Sequence, residues 1–218
     1  MMWQNDHLAY DWFQRPLPEN VELGANVYIE SSYVFAPFFS QRRPGLIMDD
    51  GSGAYDFTSL AAGPEARIKV GAYTCLNSVN LVCDDAINIG AHCLFAWGSV
   101  VTDSVLPRPG EVEARRQALA GTAQDPLRRL RPSAPAKPVT IADNVWVGFD
   151  SVIMGGVTIG RGAVVGCKTV ITEDVPPYAI VVGNPSRLIR FLPPDDTEDV
   201  RHAALREFGL PLPAVAAR

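Results

Sequence analysis

The side chains best suited to chemistry are few and scattered. Histidine occurs three times, at His7, His92 and His202, and cysteine four times, at Cys75, Cys83, Cys93 and Cys167. A catalytic zinc needs several protein ligands converging on one point, and these histidines offer no plausible pairing. The cysteine spacings match no CxxC-type site. No metal is expected, and the thiols are read as reduced and mostly buried. Carboxylates remain as proton carriers, able to act as bases where burial raises the pKa.

Around these residues the chain has 218 amino acids and a formal net charge of -5. Such a balance gives no general attraction to nucleic acid or to an anionic membrane. No stretch approaches the roughly 20 apolar residues of a membrane span, and the N-terminus lacks the basic and then apolar pattern of a leader. A cytoplasmic protein with small-molecule and protein partners is the expectation. One segment departs from the acidic trend: residues 104–138 hold seven basic and three acidic side chains, a local excess of +4.

What positions these groups is a repeat. Ile141, Val147, Ile153, Ile159, Val165 and Ile171 recur at every sixth residue, followed by Ala142, Gly148, Met154, Gly160, Gly166 and Thr172, which are mostly small. Val139, Val145, Val157 and Ala163 form a second row two positions earlier. Neither a helix nor a plain alternating strand repeats at six. A short strand with an inward aliphatic, then a bend at the small residue, does. The phase returns in Leu23, Ile29 and Phe35, in Val70, Leu76 and Val82, and in Ile89, Phe95 and Val101. This predicts an N-terminal extension over 1–20, a mainly β solenoid over 21–190, and a tail over 191–218 with one short helix. Segments 37–67 and 104–138 are read as insertions leaving the solenoid, where function is often built.

The run from Val139 to Arg190, "VTIADNVWVGFDSVIMGGVTIGRGAVVGCKTVITEDVPPYAIVVGNPSRLIR", closely resembles the hexapeptide-repeat acyltransferases, in the branch of galactoside, maltose and xenobiotic acetyltransferases. The resemblance implies a left-handed parallel β-helix with three short strands per coil. It also implies a homotrimer with acetyl-CoA, or another acyl-CoA, as cosubstrate in the groove between subunits. Spacing alone does not give the hand, since parallel crossovers are otherwise right-handed in about 98% of cases. By the same resemblance Trp146 and Gly148 lie beside the pantetheine arm. Gly166, Cys167, Lys168 and Thr172 line the CoA channel, and Arg187 and Arg190 meet the CoA phosphates. Two residues depart from the pattern: Glu173 stands where Lys is common, and Phe149 replaces a small polar residue.

Upstream, "CLNSVNLVCDDAINIGAHCLFAW" resembles the acceptor-binding rung, with Asn77 and Asp85 on the sugar-contacting positions and Asp84 beside them. Asn77 is equally explained as a hydrogen-bonding residue that ties coils together. In relatives an Asp and, four residues later, a catalytic His open the following loop. Here Asp103 fits the Asp, but Pro107 holds the His position. A sugar hydroxyl needs a base to attack a thioester. Three explanations stand side by side: Asp103 is the base, the acceptor is an amine whose neutral form attacks unaided, or the chain is a non-catalytic trimeric homologue. His92 is read as a surface turn residue, His202 lies in the tail, and nothing positions His7.

Within 104–138, "EVEARRQALAG" predicts a helix with a Glu111–Arg115 pair stopped by Gly121, and "DPLRRL" a second capped by Asp125 with Pro126 in its first turn. Its charges suit a solvated face or the phosphates of CoA or a nucleotide-linked sugar. In the tail, Thr197 is the expected cap, Val200, Ala204, Leu205 and Phe208 one face, and Gly209 the stop. The function expected is acyl transfer to a sugar, amino sugar or nucleotide sugar. β-Helical carbonic anhydrase chemistry is set aside for want of three converging histidines.

Overall fold

Short strands of two to five residues recur along the chain, and their pairing is almost entirely parallel. The computed structural model describes residues 3–4, 7–9, 11–104, 112–126, 135–193 and 196–211. Three sheets form the faces of a prism. The first face stacks Val21–Leu23, Leu46–Met48, Arg67–Val70, Ala86–Ile89, Val139–Ile141 and Thr158–Ile159. The second stacks Tyr28–Ile29, Gly53–Tyr55, Cys75–Asn77, Leu94–Phe95, Trp146–Val147, Val164–Val165 and Ala179–Val182, and the antiparallel strand Arg187–Phe191 closes it. The third stacks Ser59–Ala62, Asn80–Cys83, Val100–Thr102, Val152–Ile153 and Val170–Ile171.

The six-residue row is the core. Ile141, Val147, Ile153, Ile159, Val165 and Ile171 are all buried, as are Val139, Val145, Val157 and Ala163. Each large aliphatic so placed contributes about 1.5–3 kcal/mol by leaving water. Hydroxyls buried at the corners knit one coil to the next. Ser99 Oγ donates to the Gly148 carbonyl at 3.2 Å, and Ser151 Oγ to the Gly166 carbonyl at 2.8 Å. Each buried oxygen is thereby satisfied, as burial requires.

The bend lies elsewhere than the sequence predicts. The residues in the left-handed region are Asn144, Asp150, Gly156, Gly162 and Lys168, each two positions after the small residue. The small residue serves a different need, close approach between coils: a Cβ on Gly148 would stand 2.7 Å from the Cys167 nitrogen.

Segment 37–67 does not leave the solenoid as expected. Leu46–Met48, Gly53–Tyr55 and Ser59–Ala62 inside it are regular strands on all three faces. Met48, Ala54 and Leu60 keep the six-residue phase with buried side chains, but the turn-rich "DDGSG" hides it from a reading by composition. Conversely Phe35, assigned to a strand by phase, ends the 3-10 turn Ser32–Phe35.

The helix predicted in the 104–138 loop runs over Val112–Gln124 and passes through Gly121. No residue of it is buried, so no packing contact ends it at the glycine. Its described ion pair is Arg116–Glu113 at 3.7 Å, whereas Glu111 and residues 127–130 of the second predicted helix lie outside the described residues. The tail helix is Glu198–Glu207, with Thr197 at its N-cap making no side-chain cap bond and Gly209 at φ 65° just beyond its end. Within the helix Ala204 is buried while Val200 is exposed. Arg161 fastens the segment before this helix, donating to Asp196 at 2.9 and 3.1 Å and to Asp143 at 2.8 Å. Among the described residues no helix is long and apolar enough to cross a membrane.

Candidate active site

The outward rows of the three faces differ in chemistry. On the first face the row is Glu22, Ile47, Lys69, Asn88, Thr140 and Thr158, a mostly polar surface. On the second it is Tyr28, Gly53, Cys75, Leu94, Trp146, Val164 and Ile180, ending against Arg190. Tyr28, Leu94 and Trp146 in that row remain exposed. A contiguous apolar stripe of this kind marks a surface that meets a ligand or a partner.

Trp146 and Arg190 therefore share one ladder. They are three strand steps apart, about 14 Å at the usual spacing. Arg187 pairs with Val182 on the same terminal strand, and both arginines are exposed. Gly148 and Gly166 sit at the corner where the second face turns into the third. Each is there because a side chain would strike the next coil, at Cys167 and at Val182 Cγ1 respectively. Cys167 is exposed at that corner, and Lys168 follows it with its Nζ 3.9 Å from Asp150. Thr172 is not with them, since the strand Val170–Ile171 carries it to the far edge of the third face.

The corner bears an aromatic pair of which the sequence singled out only Phe149. Trp97 stacks on Phe149 with centroids 5.6 Å apart and planes at 14°. The Trp97 indole N–H donates to Asp56 Oδ2 at 2.7 Å. The visible signal was positional: Trp97 and Phe149 each stand two residues beyond an inward residue of the second face, Phe95 and Val147.

The predicted acceptor residues separate into two places. Asn77 donates through Nδ2 to the Phe95 carbonyl at 2.8 Å, a bond between coils. Asp84 and Asp85 lie beyond the other end of the strand Asn80–Cys83, about 13 Å of extended chain away. There they surround Asp103, which is 1% exposed. Asp103 Oδ1 accepts the Asp84 N–H and Oδ2 the Asp85 N–H, both at 2.8 Å. The Cys83 thiol donates to Oδ2 at 3.3 Å, and the Ser104 hydroxyl sits between Asp103 Oδ1 at 2.8 Å and Asp84 Oδ2 at 2.5 Å. A carboxylate has about four lone-pair positions, and here they are taken. Burial and then the Asp103 charge push the Cys83 thiol up, so it stays protonated as a donor.

Pro107 lies outside the described residues, and nothing is described of the His7 side chain. His92 is exposed at φ 58° and stacks on Tyr73 at 5.2 Å. His202 lies 3.7 Å from Glu198 on the tail helix. All four cysteines are free, with Cys83 and Cys93 buried, Cys75 half-buried and Cys167 exposed.

Known proteins share both the repeat and the fold. Residues 138–173 match the bacterial transferase hexapeptide (six repeats) family. A chloramphenicol acetyltransferase of Agrobacterium fabrum is 48% identical over 63 residues, which is 29% of this chain and 30% of that relative. The match thus spans under a third of the relative's length. The fold resembles that of AntD, an N-acyltransferase from Bacillus cereus solved as an aspartate-to-asparagine variant with dTDP and coenzyme A: TM-score 0.63, 20% identity, covering 86% of this chain and 90% of that one. It also resembles a hexapeptide-repeat acetyltransferase of Vibrio cholerae complexed with acetyl coenzyme A: TM-score 0.53, 26% identity, covering 74% and 76%. The hand of the prism follows from this likeness, as a left-handed parallel β-helix. In its repeat over residues 138–173 and in its fold the chain is similar to hexapeptide-repeat acyltransferases.

Proposed function

We propose that the protein is a cytoplasmic, trimeric acyltransferase that moves an acetyl group from acetyl-CoA to an amine on a sugar, amino sugar or nucleotide sugar. The observation that carries the reading is the single ladder from Trp146 through Val164 and Ile180 to Arg190. It offers an apolar track for the pantetheine arm and, at one end, two guanidinium groups for phosphates. The acetyl-CoA complex of the Vibrio cholerae relative and the acetyltransferase from Agrobacterium fabrum support the donor.

Trimer formation explains the apolar outward row and the separation of the acceptor residues. Asn77 and the Asp84–Asp85 corner stand at opposite edges of the third face, and apposed faces of two copies bring such edges together. Gly166, Cys167 and Lys168 line the channel beside Gly148, while Thr172 faces the opposite edge.

The choice of an amine rests on Asp103. A buried carboxylate whose oxygens already accept two backbone N–H groups, a thiol and a hydroxyl is poorly placed to take a substrate proton. We assign it to positioning the Asp84–Asp85 corner. A neutral amine attacks the thioester carbonyl directly: the new C–N bond forms, the C–S bond breaks with its electron pair going to sulfur, and the proton lost by the amine is relayed through water to the departing thiolate, which leaves as the CoA thiol.

The test is acetyl-CoA binding and CoA release together. Acetyl-CoA should raise the Tm, and Arg187→Ala with Arg190→Ala should abolish that shift. Released thiol should then be found with amino sugars and not with the matching hydroxyl sugars. Binding without turnover on any acceptor would favour a non-catalytic homologue, and no binding would overturn the donor site.

A further inference from the structure

Residues 11–15 bring a second group of rings onto the first coil. Asp11 is 6% exposed and holds this segment by accepting from the Ser31 hydroxyl at 2.7 Å, the Ser32 hydroxyl, and the N–H groups of Phe13 and Gln14 at 3.1 and 2.9 Å. The anchor places Trp12 against Tyr33, with centroids 5.5 Å apart, and 6.3 Å from Phe57. Phe57 stands edge-on to Tyr33 at 83°. Between the rings lies a recess of about 30 Å³ lined by Trp12, Glu30, Tyr33, Tyr55 and Phe57 among others.

Its rim is costly to leave in water. Trp12 is 60% exposed and Phe57 69%. The lining includes one carboxylate, Glu30, and no cation. Glu30 Oε2 is fixed by the Asp56 N–H, and Asp56 in turn holds Trp97. The ring cluster already attracts positive charge: the Arg15 guanidinium carbon sits 5.0 Å from the centroid of Phe13, which packs edge-on to both Trp12 and Tyr33.

We propose that this recess binds a small organic ammonium ion. Ring faces carry negative potential and hold ammonium groups by cation–π attraction, strengthened where water is excluded. Glu30 supplies the balancing charge. The volume admits a head group a little larger than one water. The recess lies about 14 Å, three strand steps, along the axis from the coil of Trp146 and Phe149. It is therefore separate from the proposed donor site, and its test needs no acyl-CoA.

The probe is methylammonium chloride, titrated into the full chain while the Trp12 indole N–H signal, assigned with Trp12→Phe, is followed by NMR. Saturable movement is expected with methylammonium and not with potassium chloride at equal ionic strength or with methanol. Glu30→Gln should weaken the apparent Kd at least fivefold. Phe57→Leu keeps apolar bulk but removes a ring face, and should weaken it at least tenfold with Tm nearly unchanged. Equal shifts with potassium or methanol, no saturation, or wild-type affinity in a folded Phe57→Leu protein would overturn the proposal. So would a Trp12 signal that is buried by a second copy and exposed only on dilution.

Discussion

The carboxylate of Asp103 and the backbone of Asp84 are joined by a 2.8 Å hydrogen bond between adjacent coils, with the same oxygen reached by the Ser104 hydroxyl. The sequence makes Asp103 a candidate base, and the donors that surround it support the anchoring role proposed for it instead.

Asp103→Asn should therefore damage stability more than chemistry. One oxygen becomes an NH₂ facing an N–H or O–H donor, and leaving buried groups unpaired costs about 1–3 kcal/mol. At about 2–4 °C per kcal/mol for a domain of this size, thermal denaturation should show a Tm several degrees lower. The pH–rate profile with an amine acceptor should keep its shape; disappearance of a titrating limb would restore Asp103 as the base.

Asp11 predicts an acid dependence. Burial by itself would raise its pKa, but the hydroxyls of Ser32 and Ser31 and the N–H groups of Phe13 and Ser32 outweigh it and hold the carboxyl at about 2. A folded-state pKa below the ordinary carboxylate value stabilises the fold above pH ~4 and loses that contribution as pH falls towards 2. The wild type should thus lose about 2 kcal/mol relative to Asp11→Asn over that window, read from urea unfolding at stepped pH.

Arg161 predicts a local release. Its guanidinium holds the Asp196 carboxyl below the usual range, and the Tyr178 hydroxyl also donates to Asp196, at 2.8 Å. Arg161→Met should expose the helix Glu198–Glu207 to amide exchange at least tenfold faster. The strands from Leu46–Met48 to Asn80–Cys83 should exchange at their wild-type rate, because the clasp reaches back no further than Asp143.

Two glycine substitutions should act in opposite directions. Gly148→Ala places a Cβ 2.7 Å from the Cys167 nitrogen, a backbone contact that cannot yield cheaply; overpacking of this kind costs about 1–3 kcal/mol. Gly121→Ala meets nothing within 4 Å inside the helix Val112–Gln124. Helix propensity favours alanine there by about 1 kcal/mol, so denaturant midpoints should fall for the first and hold or rise for the second.

The repeat was legible because it is local: an inward aliphatic every sixth residue announces a coil wherever its neighbours keep the phase. Segment 37–67 shows the limit, since Ala54 is too small and "DDGSG" too turn-like to be recognised as a coil without the strands stacked on either side. The residues proposed for the donor side, Trp146, Gly148 and Gly166, were nominated from the motif, and Trp97 could not be, because its partners Asp56 and Phe149 are brought to it only by coil stacking. What the sequence determined by itself was the repeat, its inward row and the residue types of the segment proposed to bind the donor. What only the tertiary structure decided was register: which side chains from successive coils meet at one corner. That register separates Asn77 from Asp84, encloses Asp103 in donors and gathers Trp12, Tyr33 and Phe57, because parallel strands about 4.8 Å apart align residues distant in the chain.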